Sequence, residues 1–259
     1  MISDYLRVIQ RFSEEIEEGT QWPRTRCPSC REGYVKWGKP ETAENKISRS
    51  YRGHDAWEPE WISGTMQLSG RCENSECEQI VTAVGSFRVD VSRDRPINDP
   101  DEGYQGQRYS EFYKIDYFNP PLLLITLPED IPRDVRRAID RARPLVFVDP
   151  SFAATALRNS VECFLSDEGV PARNSKGSYT PLHQRIKQWK TKTGNQKVAE
   201  LLQAVKWIGN EGTHEGTSLT VQEILVSLEF IEAAFHELLV APGISQRVQT
   251  VNQSKGRFG

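Results

Sequence analysis

Two close cysteine pairs, Cys27-Pro-Ser-Cys30 and Cys72-Glu-Asn-Ser-Glu-Cys77, constrain this chain more than any other feature. Four thiolates on two separate turns supply the tetrahedron that zinc prefers, so the turns must meet in space whatever lies between them. A closed four-thiolate site keeps no open coordination position, which makes its role structural or docking and not catalytic. The expectation is a structural Zn2+ on Cys27, Cys30, Cys72 and Cys77 in a zinc-ribbon-like β module. The other reading is four unrelated reduced cysteines. His54 is a further donor nearby, but the quartet is complete without it. The fifth cysteine, Cys163, lies on a helical pattern among apolar neighbours and reads as a small buried hydrophobe.

The 259 residues suffice for one large domain or two small ones. A net charge of -3 excludes a uniformly basic nucleic-acid binder but leaves room for a local basic site. No apolar run approaches the length of a membrane span. The opening Met-Ile-Ser-Asp-Tyr-Leu lacks a signal-peptide pattern, so the expected location is cytoplasmic, without membrane association.

The pattern along the chain predicts an α+β protein. Residues 2–18 read as a helix with Tyr5, Leu6, Ile9, Phe12 and Ile16 on one side, giving an N-terminal element over 1–20. Its acidic end (Glu14, Glu15, Glu17, Glu18) opposes the helix dipole and should fray unless a partner compensates. Residues 21–108 form the cysteine-bearing module. Strands are expected over Trp61–Leu68 and Ile80–Val91, with an irregular insert at 38–60 and a loop or linker at 92–108. An extended connector follows over 109–131. Helices are then expected over about 132–143, 150–168, 180–192, 197–208 and 220–240, within a helical domain spanning 132–242. The polar tail, 243–259, reads as disordered.

Between two of these helices stands Lys206-Trp-Ile-Gly-Asn-Glu-Gly-Thr-His214. Gly209 and Gly212 disfavour an uninterrupted helix, and Asn210 and His214 would share a face of a helical turn. The plainer reading is a capping glycine, an Asn tolerant of left-handed backbone and a surface His. Upstream, Arg158 and Glu162 are four apart on one helix face, which alone would make an ordinary intrahelical ion pair. Two basic stretches complete the inventory. One carries Arg133, Arg137 and Arg141, with Arg136 and Arg143 nearby; the other carries Arg185, Lys187, Lys190, Lys192 and Lys197. Each suits a phosphate backbone or is simply a solvated face.

The order of these motifs, with Tyr117-Phe-Asn-Pro-Pro121, Leu127-Pro-Glu-Asp-Ile-Pro132 and Leu182-His-Gln-Arg-Ile186, resembles the bacterial family named domain of unknown function 4145, over residues 112–240. Some members begin with a zinc-ribbon-like segment. That family is usually placed with the HEPN superfamily of small, often dimeric helical bundles. Many of these are metal-independent ribonucleases of toxin or phage-defence systems, and others bind nucleotides or act as interaction modules. The resemblance implies a HEPN-like all-α bundle, a homodimer through it, and RNA, a nucleotide or a defence-system protein as partner.

Residue by residue, Asn210 and His214 match the polar residue and the His of the nuclease motif. Gly209 stands where that motif has Arg, and Lys206 stands where the resembled family typically has one. In RNA cleavage, His214 would be the base or acid and Lys206 or Arg158 the cation on the phosphorane, beside Asn210 and Glu162. Lys206 keeps the charge but lacks the planar fork of Arg. The alternative function is a non-catalytic, zinc-containing interaction or scaffold module.

Overall fold

The computed structural model describes residues 3–92, 108–212 and 218–254. It divides into two compact units, Asp4–Leu123 and Leu124–Gly259, the second also counting the first three residues.

The first unit opens with helix α1 (Asp4–Gln10) and a single 3-10 turn, Arg11–Ser13. Strands β1 (Ile16–Glu17), β2 (Thr25–Arg26), β3 (Tyr34–Glu44), β4 (Ser63–Cys72), β5 (Ile80–Val91) and β6 (Tyr109–Asn119) follow. A short helix, α2 (Lys46–Ser50), interrupts them between β3 and β4. The strands build one antiparallel sheet in the order β1-β6-β5-β4-β3-β2. Strand β4 shows why: Gly64, Met66, Leu68, Gly70 and Cys72 are buried while their neighbours face outward, the period of two that a half-buried strand requires. The sheet curls around the N-terminal helix. Phe12 touches Trp37 of β3 (5.8 Å between ring centroids) and Phe118 of β6 (5.1 Å), although those strands are separated by two others.

Three expectations change here. The helix over 2–18 stops at Ser13, and its acidic end becomes β1, paired with β6. Glu15 there takes a bidentate contact from Arg88 at 2.8 Å, and Glu17 accepts from Ser92 Oγ at 2.5 Å. These partners hold as strand what would be repelled at a helix C-terminus. The 38–60 insert is irregular only in part. Gly38 and Pro40, which read as breakers, sit at a register shift between Trp37 and Pro40 inside β3. The 109–131 connector supplies β6, an integral strand of the sheet, so a six-stranded sheet replaces the small ribbon expected around the cysteines. Most of the 92–108 loop lies outside the described residues.

The second unit is helical: α3 (Arg133–Ala142), α4 (Pro150–Asp167), α5 (Leu182–Thr193), α6 (Gln196–Glu211) and α7 (Val221–Phe235). Their starts are set by local chemistry. Asp149 caps α4 by accepting from Phe152 N, Asn195 caps α6 by accepting from Val198 N, and Thr220 and Glu223 form a capping box at α7. Their apolar faces meet in a core that includes Leu157, Phe164, Trp189, Leu202, Leu228 and Phe235. After α7 the chain passes through a π turn (His236–Val240) and continues as α8 (Ala241–Gln253), with Pro242 in its first turn. This helix corrects the disordered tail over most of its length; it buries no residue, which is why apolar periodicity gave no sign of it. No described helix is long and apolar enough to cross a membrane.

Candidate functional site

Two turns at one end of the sheet bring the cysteines together. Cys27 and Cys30 flank the turn after β2, and Cys72 and Cys77 flank the turn from β4 to β5. The turns are built alike. In each, the residue after the second cysteine adopts left-handed backbone, Arg31 at φ 65° and Glu78 at φ 46°. In each, the first cysteine's N–H donates across the turn, Cys27 to Gly33 O and Cys72 to Gln79 O.

Sulfur–sulfur distances are 3.8 Å for Cys27–Cys77 and 3.7 Å for Cys30–Cys72, and all four Sγ atoms lie within 4.8 Å of one another. Zinc–sulfur bonds of about 2.3 Å imply a tetrahedron edge of about 3.8 Å. The cluster therefore fits a tetrahedral metal, and its dimensions are compatible with zinc. Backbone donors reach two of the sulfurs: Ser29 N–H points at Cys27 Sγ (3.4 Å) and Gly33 N–H at Cys30 Sγ (3.3 Å). The Gly33 amide draws the Cys30 thiol down to about 6, whereas burial pushes Cys72 up to about 12. A tetrahedral metal would bind such a cluster through its thiolates. Gly33 is required at its position, since a Cβ there would lie 2.5 Å from Cys72 Sγ. Cys163 belongs to α4, in the helical unit, where burial raises its pKa. Cys163→Ser is expected to leave metal content unchanged, as elemental analysis of the reduced protein would show.

The second candidate site lies where α4 crosses α6. Gly209 and Gly212 permit the approach. A Cβ on Gly209 would stand 2.5 Å from Arg158 Cβ and 3.1 Å from Ala154 O, and one on Gly212 would stand 2.6 Å from Ser151 O. Gly209 thus lies inside α6 as a contact point and not a break, whereas Gly212 is the C-cap at which the helix ends, as a capping glycine would. Gly209→Ala is expected to destabilise the helical unit by about 1–3 kcal/mol through overpacking, read by thermal denaturation.

At this crossing Arg158 pairs with Glu162 (3.3 Å), and its buried Nε has no hydrogen-bond partner among the described residues. Lys206 comes from α6 and is only 6% exposed. Its Nζ sits 3.2 Å from the centroid of the Trp207 ring. With the Gln203 amide oxygen turned toward it, Nζ also donates at 3.3 Å. No ion-pair partner of Lys206 is found among the described residues. Burial first, and the Arg158 charge second, lower its pKa below the ordinary lysine value. Asn210 lies one turn beyond Lys206 on the same flank of α6. His214 lies outside the described residues.

The basic stretches divide. Arg133, Arg137 and Arg141 lie exposed along α3, with Arg137 3.6 Å from Asp134. Lys187 and Lys190 are exposed on α5. Arg185 does not join them: it is 1% exposed, and its guanidinium donates to Val170 O, Glu162 O and Ser166 Oγ. Sequence spacing grouped Arg185 with surface cations because it stands among them in the chain, but it falls on the core face of α5 with Leu182, Ile186 and Trp189. Trp207 and Gln203 escaped the sequence reading. Their signal was a position on the flank of Lys206, where neither adds to the apolar stripe.

Comparison with known proteins follows this division. Residues 140–253 match the family model described as domain of unknown function 4145. The resemblance to that family holds. Residues 15–118 match a second model, domain of unknown function 8608. No curated protein and no solved structure matches the chain. The 8608 match runs from β1 through nearly all of β6 and includes all four clustered cysteines. The 4145 match takes in α4 to α8, and with them Arg158, Glu162, Lys206 and Asn210.

Proposed function

We propose that this protein is an RNA- or nucleotide-directed module. Its helical domain receives a phosphate between Arg158 and Lys206, and a structural zinc on Cys27, Cys30, Cys72 and Cys77 stabilises its β module. The observation that carries the reading is the pair of cations at the α4–α6 crossing. Among the described residues, Lys206 is buried with no ion-pair partner and Arg158 Nε is buried with no acceptor. Burying charge in this way is costly unless an anion completes the site. The ion pair of Glu162 is with Arg158 and leaves Lys206 without a carboxylate among the described residues, so a phosphate oxygen there would be stabilised by charge-assisted hydrogen bonds.

Within this reading the bundle is HEPN-like, assembles as a homodimer and works in the cytoplasm, and His214 and Asn210 complete an endoribonuclease centre of a defence or toxin system. Gly209 in place of the motif Arg favours a second reading, in which the domain binds RNA or a protein partner without cleaving. Incubating the purified protein with single-stranded RNA, beside His214→Ala and Lys206→Met, tests both. Cleavage lost in His214→Ala supports the enzyme. Binding without cleavage, weakened at least tenfold in Lys206→Met, supports the binding module. No binding and no cleavage overturns the proposal.

The lowered Lys206 pKa gives the proposal a pH signature. The folded state holds this proton less tightly than the unfolded state does. Folding stability should therefore rise with pH from the lowered Lys206 pKa up to the ordinary lysine range. Lys206→Met should remove that slope in denaturation curves recorded across the alkaline range.

A further inference from the structure

Trp207 is the next residue after Lys206, and its indole is 57% exposed. Exposed apolar side chains are common and by themselves mean little. This one differs because it is held. With the Gln203 amide oxygen facing it, the indole Nε1 donates at 3.1 Å, and the Lys206 ammonium lies over one face of the ring at 3.2 Å from its centroid. Edge and one face are fixed from within α6, and the rest of the ring stands in solvent. Fixing a ring before a ligand arrives removes the ordering cost from binding. An ammonium buried against an indole needs no exposed indole; burying both would gain more apolar area. The arrangement instead leaves a flat, immobile aromatic surface one residue from the proposed phosphate site.

We infer that Trp207 is a stacking platform for an unpaired nucleobase whose phosphate lies between Lys206 and Arg158. The ligand class is then a nucleotide or a single strand, because duplex pairing and stacking hide the base faces the platform would take. This rests on the phosphate reading of the Arg158–Lys206 site and adds what that reading lacks, a reason to prefer a nucleotide over any other phosphorylated compound. Stacking on aromatic side chains is tolerant of base identity, so the platform supplies affinity without sequence preference.

The test compares four probes on the full-length protein: a labelled single-stranded RNA oligomer, the same backbone with abasic sites, a mononucleotide and inorganic pyrophosphate. The readout is the ratio of affinities for the based and abasic oligomers. Trp207→Ala is expected to reduce that ratio about tenfold, and Trp207→Phe, which keeps a ring, to retain most of it. Dependence on Trp207 with the mononucleotide as probe supports a free nucleotide as ligand, and dependence with the oligomer alone supports a strand. A ratio near one in the wild type overturns the platform while leaving the phosphate site intact, provided pyrophosphate still competes. Failure of every probe, pyrophosphate included, removes the phosphate reading and the platform with it. A drop in molecular mass on Trp207→Ala, seen by light scattering, would instead place the ring in an interface between copies and overturn the platform.

Discussion

With zinc on the four cysteines as proposed, stripping it from the full-length protein with a strong chelator is expected to unfold the β module and to leave the helices standing. Closed thiolate sites contribute about 10–16 kcal/mol of binding free energy that is also folding free energy. Whole domains are stable by only about 5–15 kcal/mol, so a zinc bound there would decide whether this sheet folds. The cysteine turns clamp β2 to β3 and β4 to β5, and the sheet they hold encloses the Phe12, Trp37 and Phe118 rings. Near-ultraviolet dichroism from those rings should be lost on chelation, while the helical far-ultraviolet signal largely remains. Cys72→Ser should act like the chelator, since Cys72 is both buried and a corner of the cluster. Elemental analysis should find about one zinc per chain in the wild type. A metal-free protein with an unchanged aromatic signal would contradict this.

The second large effect is expected at Arg185. Its Nε and Nη2 atoms donate four hydrogen bonds, two of them to Val170 O at 2.9 and 2.7 Å. They tie α5 to the last turns of α4 and to the loop beyond it. Burial lowers the Arg185 pKa, yet guanidinium stays charged at any ordinary pH. Arg185→Met would fill the volume but leave buried carbonyls without donors. Each such group costs about 1–3 kcal/mol, so we expect a loss of about 3 kcal/mol or more, and a fall in Tm on the order of 10 °C. Lys187→Met, two residues on and exposed, should change stability by less than about 0.5 kcal/mol. Equal effects from the two changes would show that Arg185 is not the tie described.

The helices of the second unit were legible in the sequence because their apolar stripes recur at three and four residues. The cysteine site was legible for a different reason: its chemistry needs the four thiols together whatever the fold between them. Strand β3 was not, because Gly38 and Pro40 mark a loop to local reasoning, and only pairing with β4 turns them into a register shift. The strand formed by Ile16 and Glu17 was hidden likewise, since its stabilising partner, Arg88 beside Glu15, is far along the chain. At the helical site, Arg158 and Lys206 could be named from motif order, but the burial of Lys206 depends on how closely α4 approaches α6. Gly209 and Gly212 set that distance; Gly212 does end α6 as its sequence suggested, but the packing role of Gly209 inside the helix was hidden. Arg185 shows the reverse error, a buried tie that its basic neighbours made look like surface.

Whether Lys206 and Arg158 hold a phosphate is tested most directly by calorimetry of pyrophosphate binding across the alkaline range. A phosphate at Nζ restores the proton affinity that burial and Arg158 lower, so binding must take up a proton where free Lys206 is partly neutral. Repeating the titration in buffers of different ionisation enthalpy measures that uptake. Proton uptake and an affinity that falls as pH rises are expected in the wild type, and neither in Lys206→Met. Binding with no proton uptake and equal affinity in Lys206→Met would contradict the phosphate site.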